Sequence, residues 1–582
     1  MKHRLAGRGS ERDPIVLISA PQVECLDAFE GCADLVDEPR RIGGELSAAG
    51  VTGDRDLRCN RRGPACAAVH LRSVEVCTRR YDSTMTVTTP RFADLYFGKS
   101  DSKNELSGGR DDFVRSFVDL NRITDAVVSG EKTLVLGPKG TGKSALAWYL
   151  HESQHGNDYL CVVRDASELP LADIPRLDTG QPAGTDRTVS AWKFILLCNY
   201  LALLLEDQSC DLPNRAEVTR VTRLLRQYGL LGDTSGRAIL NVSNTTIEIP
   251  IPKLGTVYRR ESRTKLNIFS LLPYLEEWAA NARSGNRHLL MLDGLDSIFL
   301  NDEKYDESLA SLVQAAYSIN QRLSNTGATG TIVLLLRNDV FNRVSLTLPD
   351  SQKMRDDFSV ELDWRVLSGA AGANAPLIRL VNGKAAKALE VDRVDVLDYF
   401  PKNIELHGKN HRTINRLQYL LNFTRHTPRD LLRLLDAIRE VEASQIFPAS
   451  QQQLRQDVIR EGVLQYATRY FPGAIRNEFA GYEFGPDEAS KALDTLQTLQ
   501  RQRFDRAAFT LQLATLGVTE ATVVNRLLKL LFFAGAIGNE VQIRGGSYMQ
   551  FYHRRDDAQL YLHGSFILHN ALCHAWNIPF SA

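Results

Sequence analysis

Eight consecutive residues constrain this 582-residue chain more than any other stretch: Gly137-Pro-Lys-Gly-Thr-Gly-Lys143-Ser144. They match GxxxxGK[ST] at every position. Ahead of them, Lys132-Thr-Leu-Val-Leu136 is short, apolar and rich in branched residues, as a buried parallel strand requires. Behind them, Ala145-Leu-Ala-Trp-Tyr-Leu150 carries a helical pattern. A strand that passes through a glycine-rich turn into a helix predicts an α/β chain built on a parallel sheet. Glycines at 137, 140 and 142 let backbone N–H groups converge on phosphate oxygens with no Cβ in the way. The following helix directs its positive end at the same anion. The predicted contacts come from Gly137, Pro138, Lys139, Gly140, Thr141, Gly142, Lys143, Ser144 and Ala145. Lys143 would reach the β- and γ-phosphates and Ser144 would hold Mg²⁺. A chance match in a glycine-rich turn is the alternative.

Two further strands end in polar residues. A strand at about Tyr159–Val163 follows the first helix, and much later Arg287-His-Leu-Leu-Met-Leu-Asp293-Gly-Leu-Asp296 delivers carboxylates to a strand end. Asp293 suits the orientation of a water ligand of Mg²⁺. The position after it is Gly294 rather than an acid, so the next available carboxylate is Asp296, with Glu303 beyond it. Asp296 either orients the attacking water or caps a helix that begins near Asp302. The third such strand is Thr331-Ile-Val-Leu-Leu-Leu336, followed by Arg337-Asn338-Asp339.

The order strand–GPKGTGKS–helix, then LLMLDGLD, then LLLRND resembles the additional-strand P-loop ATPases. It is most similar to the STAND/NACHT class and to origin-recognition-type AAA+ proteins. It also looks like stand-alone bacterial P-loop ATPases, several of which sit beside phage-defence or DNA-maintenance genes. The resemblance runs from about Phe92 to the C-terminus, with its sharp motifs in short segments. It implies ATP and Mg²⁺ as ligands, a switch or motor powered by hydrolysis, a homo-oligomer and an effector protein as partner. Catalytic roles then fall to Lys143, Asp293, Asp296, Arg337 and Arg429, and metal binding to Ser144 and, through water, Asp293. Arg337 or Asn338 would sense the γ-phosphate from the strand between the two Walker strands, or else form a plain strand terminus. Arg425-His-Thr-Pro-Arg429-Asp-Leu-Leu-Arg433 resembles a sensor-2 helix, with Pro428 in its first turn. Arg429 either senses phosphate there or is a solvated helix charge. Arg355, ahead of a last core strand at Ser359–Leu362, is an arginine-finger candidate or a salt-bridged surface residue. Ser297 stands where the family's final glutamate would be. Phe92–Gly98 either stacks on adenine or packs into the core.

The expected organisation is a P-loop ATPase domain at 85–365, a helical lid at 366–450, and a helical plus winged-helix-like domain at 451–582. The first domain carries an insertion at about 190–260, with helices near Ser190–Glu206 and Arg215–Tyr228 and a β-rich piece from Ala238 to Tyr258. Gly369–Ala375 reads as a joint before the lid, which is mostly helical over 376–445. At the C-terminal end a helix at Phe504–Leu513 precedes one at Thr519–Phe533, capped by Thr519. Strands at Glu540–Arg544 and Tyr548–Tyr552 follow. A DNA-binding wing would present Arg526, Lys529, Arg544, Arg554 and Arg555 to phosphates. The second helix is apolar along most of its length, so contact with protein is the competing reading. His563, His569, Cys573 and His574 invite a metal site, but read better as a packed terminal helix.

Residues 1–84 differ in texture. They hold five of the nine cysteines and thirteen basic residues, of which only Lys2 is lysine. Without a CxxC pair a zinc site is weak. A disordered extension is expected, with Met85 as an alternative start. The apolar run Ile15–Ala20 is too short and too late for a secretory signal.

Hydrophobic residues form 43% of the chain and charged residues 24%, which excludes a wholly disordered chain. Seventy Lys+Arg balance seventy Asp+Glu, which excludes a globally basic nucleic-acid coat but permits a local basic face. The longest uncharged apolar run, Phe194–Leu205, falls short of a membrane span. A cytoplasmic location without membrane contact is expected, and four scattered cysteines after Met85 agree with a reducing compartment. ATP is favoured over GTP because no NKxD base-reading signature is evident.

Overall fold

The computed structural model describes residues 90–166, 185–227, 246–249, 264–295, 303–365, 374–406, 412–445, 453–479, 486–543, 546–554 and 558–580. The expectations for residues 1–84, for Asp296 and Ser297, for Arg544 and Arg555, and for most of the joint and the β-rich insertion lie outside these residues.

Three short helices lead in: α1 (Ser102–Leu106), α2 (Arg110–Arg115) and α3 (Ile123–Val128). Then come β1 (Leu134–Leu136), α4 (Lys143–Ser153), β2 (Tyr159–Asp165), α5 (Thr185–Glu206) and α6 (Arg215–Gln227). An antiparallel pair follows, β3 (Thr246–Ile249) with β4 (Thr264–Asn267). After α7 (Leu272–Asn281) the chain runs through β5 (Arg287–Asp293), α8 (Glu303–Thr326), β6 (Gly330–Leu336), α9 (Asn338–Val344), α10 (Ser351–Phe358) and β7 (Ser359–Glu361).

Strands β2, β5, β6, β1 and β7 form one sheet in that order, every pairing parallel. This is a mixed α/β fold, and β6 lies between β1 and β5. The strands are almost wholly apolar because both faces are covered. Successive side chains point to opposite sides. Ile332, Leu334 and Leu336 therefore join a core with α5, α7 and α8, while Val333 and Leu335 join the core on the other face. The stretch Thr188–Glu206 is long and apolar enough to cross a membrane by length and composition alone. Here it is mostly buried, packed against α7, α8 and the sheet.

The next region contains α11 (Pro376–Ala388), the hairpin β8 (Asn403–Glu405) with β9 (Thr413–Asn415), α12 (Arg416–Asn422) and α13 (Pro428–Ala443). The hairpin was not expected in a stretch read as mostly helical. Pro428 opens α13 as anticipated, and the Thr427 hydroxyl caps it by accepting from the Asp430 N–H. Helix α14 (Gln456–Arg469) crosses α13 so closely that a Cβ at Gly462 would lie 2.5 Å from Ile438 Cα.

The C-terminal region comprises α15 (Phe471–Glu478), α16 (Pro486–Thr498), β10 (Arg503–Asp505), α17 (Arg506–Thr515), α18 (Ala521–Phe533), β11 (Ile537–Ile543), β12 (Gly546–Gln550), β13 (Ser565–Leu568) and α19 (Asn570–Ala575). Its antiparallel sheet has the order β10-β13-β11-β12. Two local expectations need correction. Phe504 lies in a strand, and α17 starts after Asp505, whose carboxylate accepts from the Ala508 N–H. Helix α18 starts at Ala521 behind Glu520, not behind a Thr519 cap. Apolar residues of these elements, of α13 and α14 and of one sheet face share a single buried cluster.

Candidate functional site

The carboxyl ends of β1 and β5 open onto one cleft, as expected where strand order reverses in an open parallel sheet. Between β1 and α4 the chain turns through Gly140 (φ +83°) and Gly142 (φ +98°), both left-handed. A Cβ at Gly137 would lie 2.7 Å from Thr141 Oγ1, so the loop closes this tightly only with glycine there. Thr141 Oγ1 donates to the Pro138 carbonyl (2.9 Å), and the Trp364 indole N–H donates to the Thr141 carbonyl (2.8 Å). The loop is thus fixed from within and from the segment after β7.

Lys143 is the first residue of α4 and is buried. Its ammonium donates to the carbonyls of Gly137 (2.9 Å) and Pro138 (3.0 Å), folded back over the loop. The Ser144 hydroxyl donates to Asp293 Oδ1 at 3.0 Å, which brings the ends of α4 and β5 together. A hydroxyl and a carboxylate are hard oxygen donors of the kind Mg²⁺ takes. The glycine cradle, the buried lysine and this oxygen pair fit a magnesium-bound nucleotide.

Another side of the cleft comes from α13. The Arg429 N–H donates to the Gly140 carbonyl (3.3 Å), its Nε donates to the Ser100 carbonyl (3.1 Å), and Arg433 reaches Ser100 Oγ (2.9 Å). The cleft has a volume of about 360 Å³ and is lined by Lys139–Leu146, Asp293 and Arg429, with Phe117, Leu120, Ile123 and Leu380 as its apolar part. Phe117 stacks on Tyr149 at 4.0 Å. At the far end Lys384 pairs with the buried Glu105. Trp364, Ser100, Phe117 and the Glu105–Lys384 pair were not singled out from sequence. Phe92 and Phe97 are core residues, packed on each other at 5.3 Å and, through Phe92, on Phe400.

Arg337 does not line this cleft. It is buried, forks onto Asp339 (2.9 Å for both bonds) and pairs with Glu478 of α15 at 3.2 Å. Asn338 donates to the Glu361 carboxylate, and Arg355 donates to Asn342 Oδ1 (2.6 Å). Glu478 also receives Arg425 at 3.1 Å, and Arg425 chelates the fully buried Asp430 through 2.8 and 2.9 Å bonds. Burial alone would raise the Asp430 carboxyl, but the Arg425 guanidinium overrides it and holds the group below its usual range. The P-loop joins the same assembly, because the Lys139 ammonium donates to the Asn477 carbonyl at 3.2 Å.

In the C-terminal region Arg526 and Lys529 are exposed on α18. Arg554 departs from the wing expectation: its guanidinium lies 4.8 Å over the Phe551 ring, and burial pulls its pKa down to about 10. His569 caps α19, accepting from the Ala571 N–H, and stacks on Phe471 at 4.6 Å. Among the described residues no cluster of His, Cys, Asp or Glu suits a metal ion, and Cys161, Cys198, Cys210 and Cys573 are buried free thiols.

No family model matches the chain. A 330-residue stretch is 21% identical to a protein of Escherichia coli (strain K12) described as a transposon gamma-delta 80.3 kDa protein, covering 55% of this chain and 44% of that relative. The chain thus spans less than half of the relative's length. Among solved structures, a Walker-type ATPase of Pyrococcus abyssi is similar over 80% of this chain and 98% of its own, at 11% identity and a TM-score of 0.30.

Proposed function

We propose that this protein binds Mg²⁺-ATP and hydrolyses it, acting as a nucleotide-dependent switch or motor of the AAA+/STAND kind. One observation carries the reading: Lys143, Ser144, Asp293 and Arg429, drawn from three separate stretches of chain, line one cleft around a glycine cradle. Lys143 neutralises charge on the β- and γ-phosphates by leaving its two loop carbonyls. Ser144 and Asp293 hold the metal, which when bound offsets phosphate charge. Arg429 closes the site from α13. Asp296 takes the proton of the attacking water. Arg337, tied to Asp339 and Glu478, acts at a distance from the cleft.

The position of β6 between β1 and β5 supports the additional-strand class. The α11–α13 region serves as the lid. The order α16-β10-α17-α18-β11-β12 supports a winged-helix-like module, with β13 inserted beside β10. Arg526 and Lys529, both exposed on α18, are the cations assigned to contact with DNA or with an acidic protein face. A homo-oligomer, a separately encoded effector, a cytoplasmic setting and a role in phage defence or DNA maintenance complete the proposal. The transposon in the relative's name is in keeping with DNA maintenance.

A second reading rests on Gly294, which takes a left-handed φ of +75° directly after Asp293 and offers no carboxylate there. In it the chain is a nucleotide-gated DNA-binding or scaffold protein with little hydrolysis. Turnover of ATP by the full chain, with Mg²⁺ or with EDTA and with or without duplex DNA, separates the two. DNA-independent, Mg²⁺-dependent turnover supports the enzyme. Tight ATP binding without turnover, together with salt-sensitive DNA binding, supports the alternative.

A further inference from the structure

On the other side of the P-loop from the nucleotide cleft lies a second cavity, also of about 360 Å³. Pro138 and Lys139 form one wall, the segment after β7 another, and Phe533–Gly535 with Tyr552 and His553 a third. Two histidines face it. His426 sits in a left-handed turn (φ 56°) just before α13, and His553 lies in the turn after β12. Their rings are 5.5 Å apart, and His553 is in turn 5.4 Å from His569. All four ring nitrogens of His426 and His553 are shielded from solvent and meet no hydrogen-bond partner among the described residues. Asn338 Oδ1, on the same cavity wall, is likewise unsatisfied.

The charges around the cavity are unevenly matched. Three of its carboxylates are paired with arginine, Glu478 with Arg337 and Arg425, Asp339 with Arg337 and Asp363 with Arg365, while Glu361 takes the neutral Asn338 amide and shares the lining with the cations Lys139 and Arg355. Arg554 is different. It adjoins His553 in the chain and stands just behind the lining, close enough for its charge to act on His426; among the described residues its Nε meets no hydrogen-bond partner and it forms no ion pair. Burial, followed by the charge of Arg554 and Arg365, pushes His426 down to about 3, so the ring is neutral and keeps one N–H to donate. Water would satisfy the imidazoles but would bring no negative charge toward Arg554, which none of the described residues pairs. An anion does both. The cavity is larger than orthophosphate needs, and Trp364, Phe533 and Tyr552 give it aromatic surface.

We infer that this cavity is a second ligand site, separate from the nucleotide cleft, which takes a small organic phosphate. The N–H groups of His426 and His553 donate to the phosphate oxygens, Arg554 balances the charge, and the aromatic side chains cover the organic part.

The test is calorimetric titration of the full chain carrying Lys143→Ala, which silences the P-loop, with AMP and separately with inorganic phosphate. A binding event for AMP is expected, weakened at least tenfold by His553→Phe or Arg554→Met at unchanged secondary structure. AMP binding tighter than phosphate identifies the ester as the ligand, and equal affinities identify the free anion. No event in the Lys143→Ala protein, or one that His553→Phe leaves unchanged, overturns the proposal. A readout without a cavity variant is the ¹⁵N spectrum of the histidine side chains in the unsubstituted protein, with the first cleft saturated by a non-hydrolysable ATP analogue. Added AMP must move the His426 and His553 resonances, and failure to move them also overturns the proposal.

Discussion

Ser144 and Asp293, 149 residues apart in the chain, are joined by a 3.0 Å hydrogen bond from hydroxyl to carboxylate. The bond ties the first turn of α4 to the end of β5 and sets the spacing of the two groups that would hold the metal. Asp293→Asn keeps the shape but removes the charge. It should weaken Mg²⁺-dependent nucleotide binding by about tenfold or more, because a single charge-assisted contact is worth about 1.5–3 kcal/mol. Asp296→Asn should instead preserve binding and lower turnover by on the order of 10²-fold, the scale for losing a positioned base. Nucleotide affinity and single-turnover hydrolysis at matched Mg²⁺ check both variants. Unchanged hydrolysis in the Asp296 variant moves the role to Glu303 or to a partner's residue.

Lys143→Ala should abolish measurable nucleotide binding in a protein that still folds. The two bonds from the ammonium to loop carbonyls disappear with it. Stability should therefore fall by no more than about 1–3 kcal/mol. Calorimetry for affinity and urea unfolding for stability are the measurements, and wild-type ATP affinity would remove the assignment.

Asp430→Ala should destabilise far more than any surface charge change. It strips Arg425 of its chelating partner and leaves a buried guanidinium shared with Glu478 alone. Breaking a buried pair in this way costs about 3–5 kcal/mol. Urea midpoints at constant slope give the number, and a loss below 1 kcal/mol would contradict the burial described.

Acid should destabilise the protein at a pH where carboxylates are still ionised. His426 and His569 are pushed down to about 3, and His553 is pushed down as well, by burial first and then by neighbouring positive charge. Folded, the three are neutral. Unfolded, they bind protons below their ordinary value near 6.5. The unfolded state thus holds more protons, and stability falls as pH drops from about 6.5 toward 3, by about 1.4 kcal/mol per pH unit for each histidine. At pH 5 that is about 2 kcal/mol each. Unfolding free energies at pH 7 and pH 5 test this, and His569→Gln should reduce the difference.

Gly462→Ala should destabilise although alanine favours a helix. The added methyl would meet Ile438 Cα at 2.5 Å, so α13 and α14 must separate. Overpacking of this kind costs about 1–3 kcal/mol. A parallel Gly473→Ala change, with nothing within 4 Å of its Cβ, serves as the control.

The central sheet was legible because its signals are local. Leu134–Leu136, Leu289–Leu292 and Ile332–Leu336 are unbroken apolar runs, and a strand covered on both faces leaves no other pattern. Lys143, Ser144 and Asp293 were legible for the same reason: each follows directly on such a run or on the glycine loop. What a strand-end residue faces is not local. Arg337 reads as a cleft residue from its place after β6, yet Glu478, 141 positions later, turns it to the other side of the loop. Arg554 reads as a wing cation from its neighbours, but the aromatic ring it covers is set by how β12 packs. Trp364, whose indole props the loop at Thr141, follows a three-residue strand with no motif to mark it.

The end of α15 touches both the glycine loop and the sheet: Asn477 accepts from Lys139 of the loop, and Glu478 holds Arg337 at the end of β6. If the loop takes nucleotide as proposed, its occupancy and the placement of the C-terminal region would share a free energy through this contact. Thermodynamic linkage makes such sharing mutual. If nucleotide loosens the grip of α15 by a given factor, a molecule that captures the loosened C-terminal region raises nucleotide affinity by that same factor. A partner's effect on ATP binding would then report, in numbers, what ATP does to the partner.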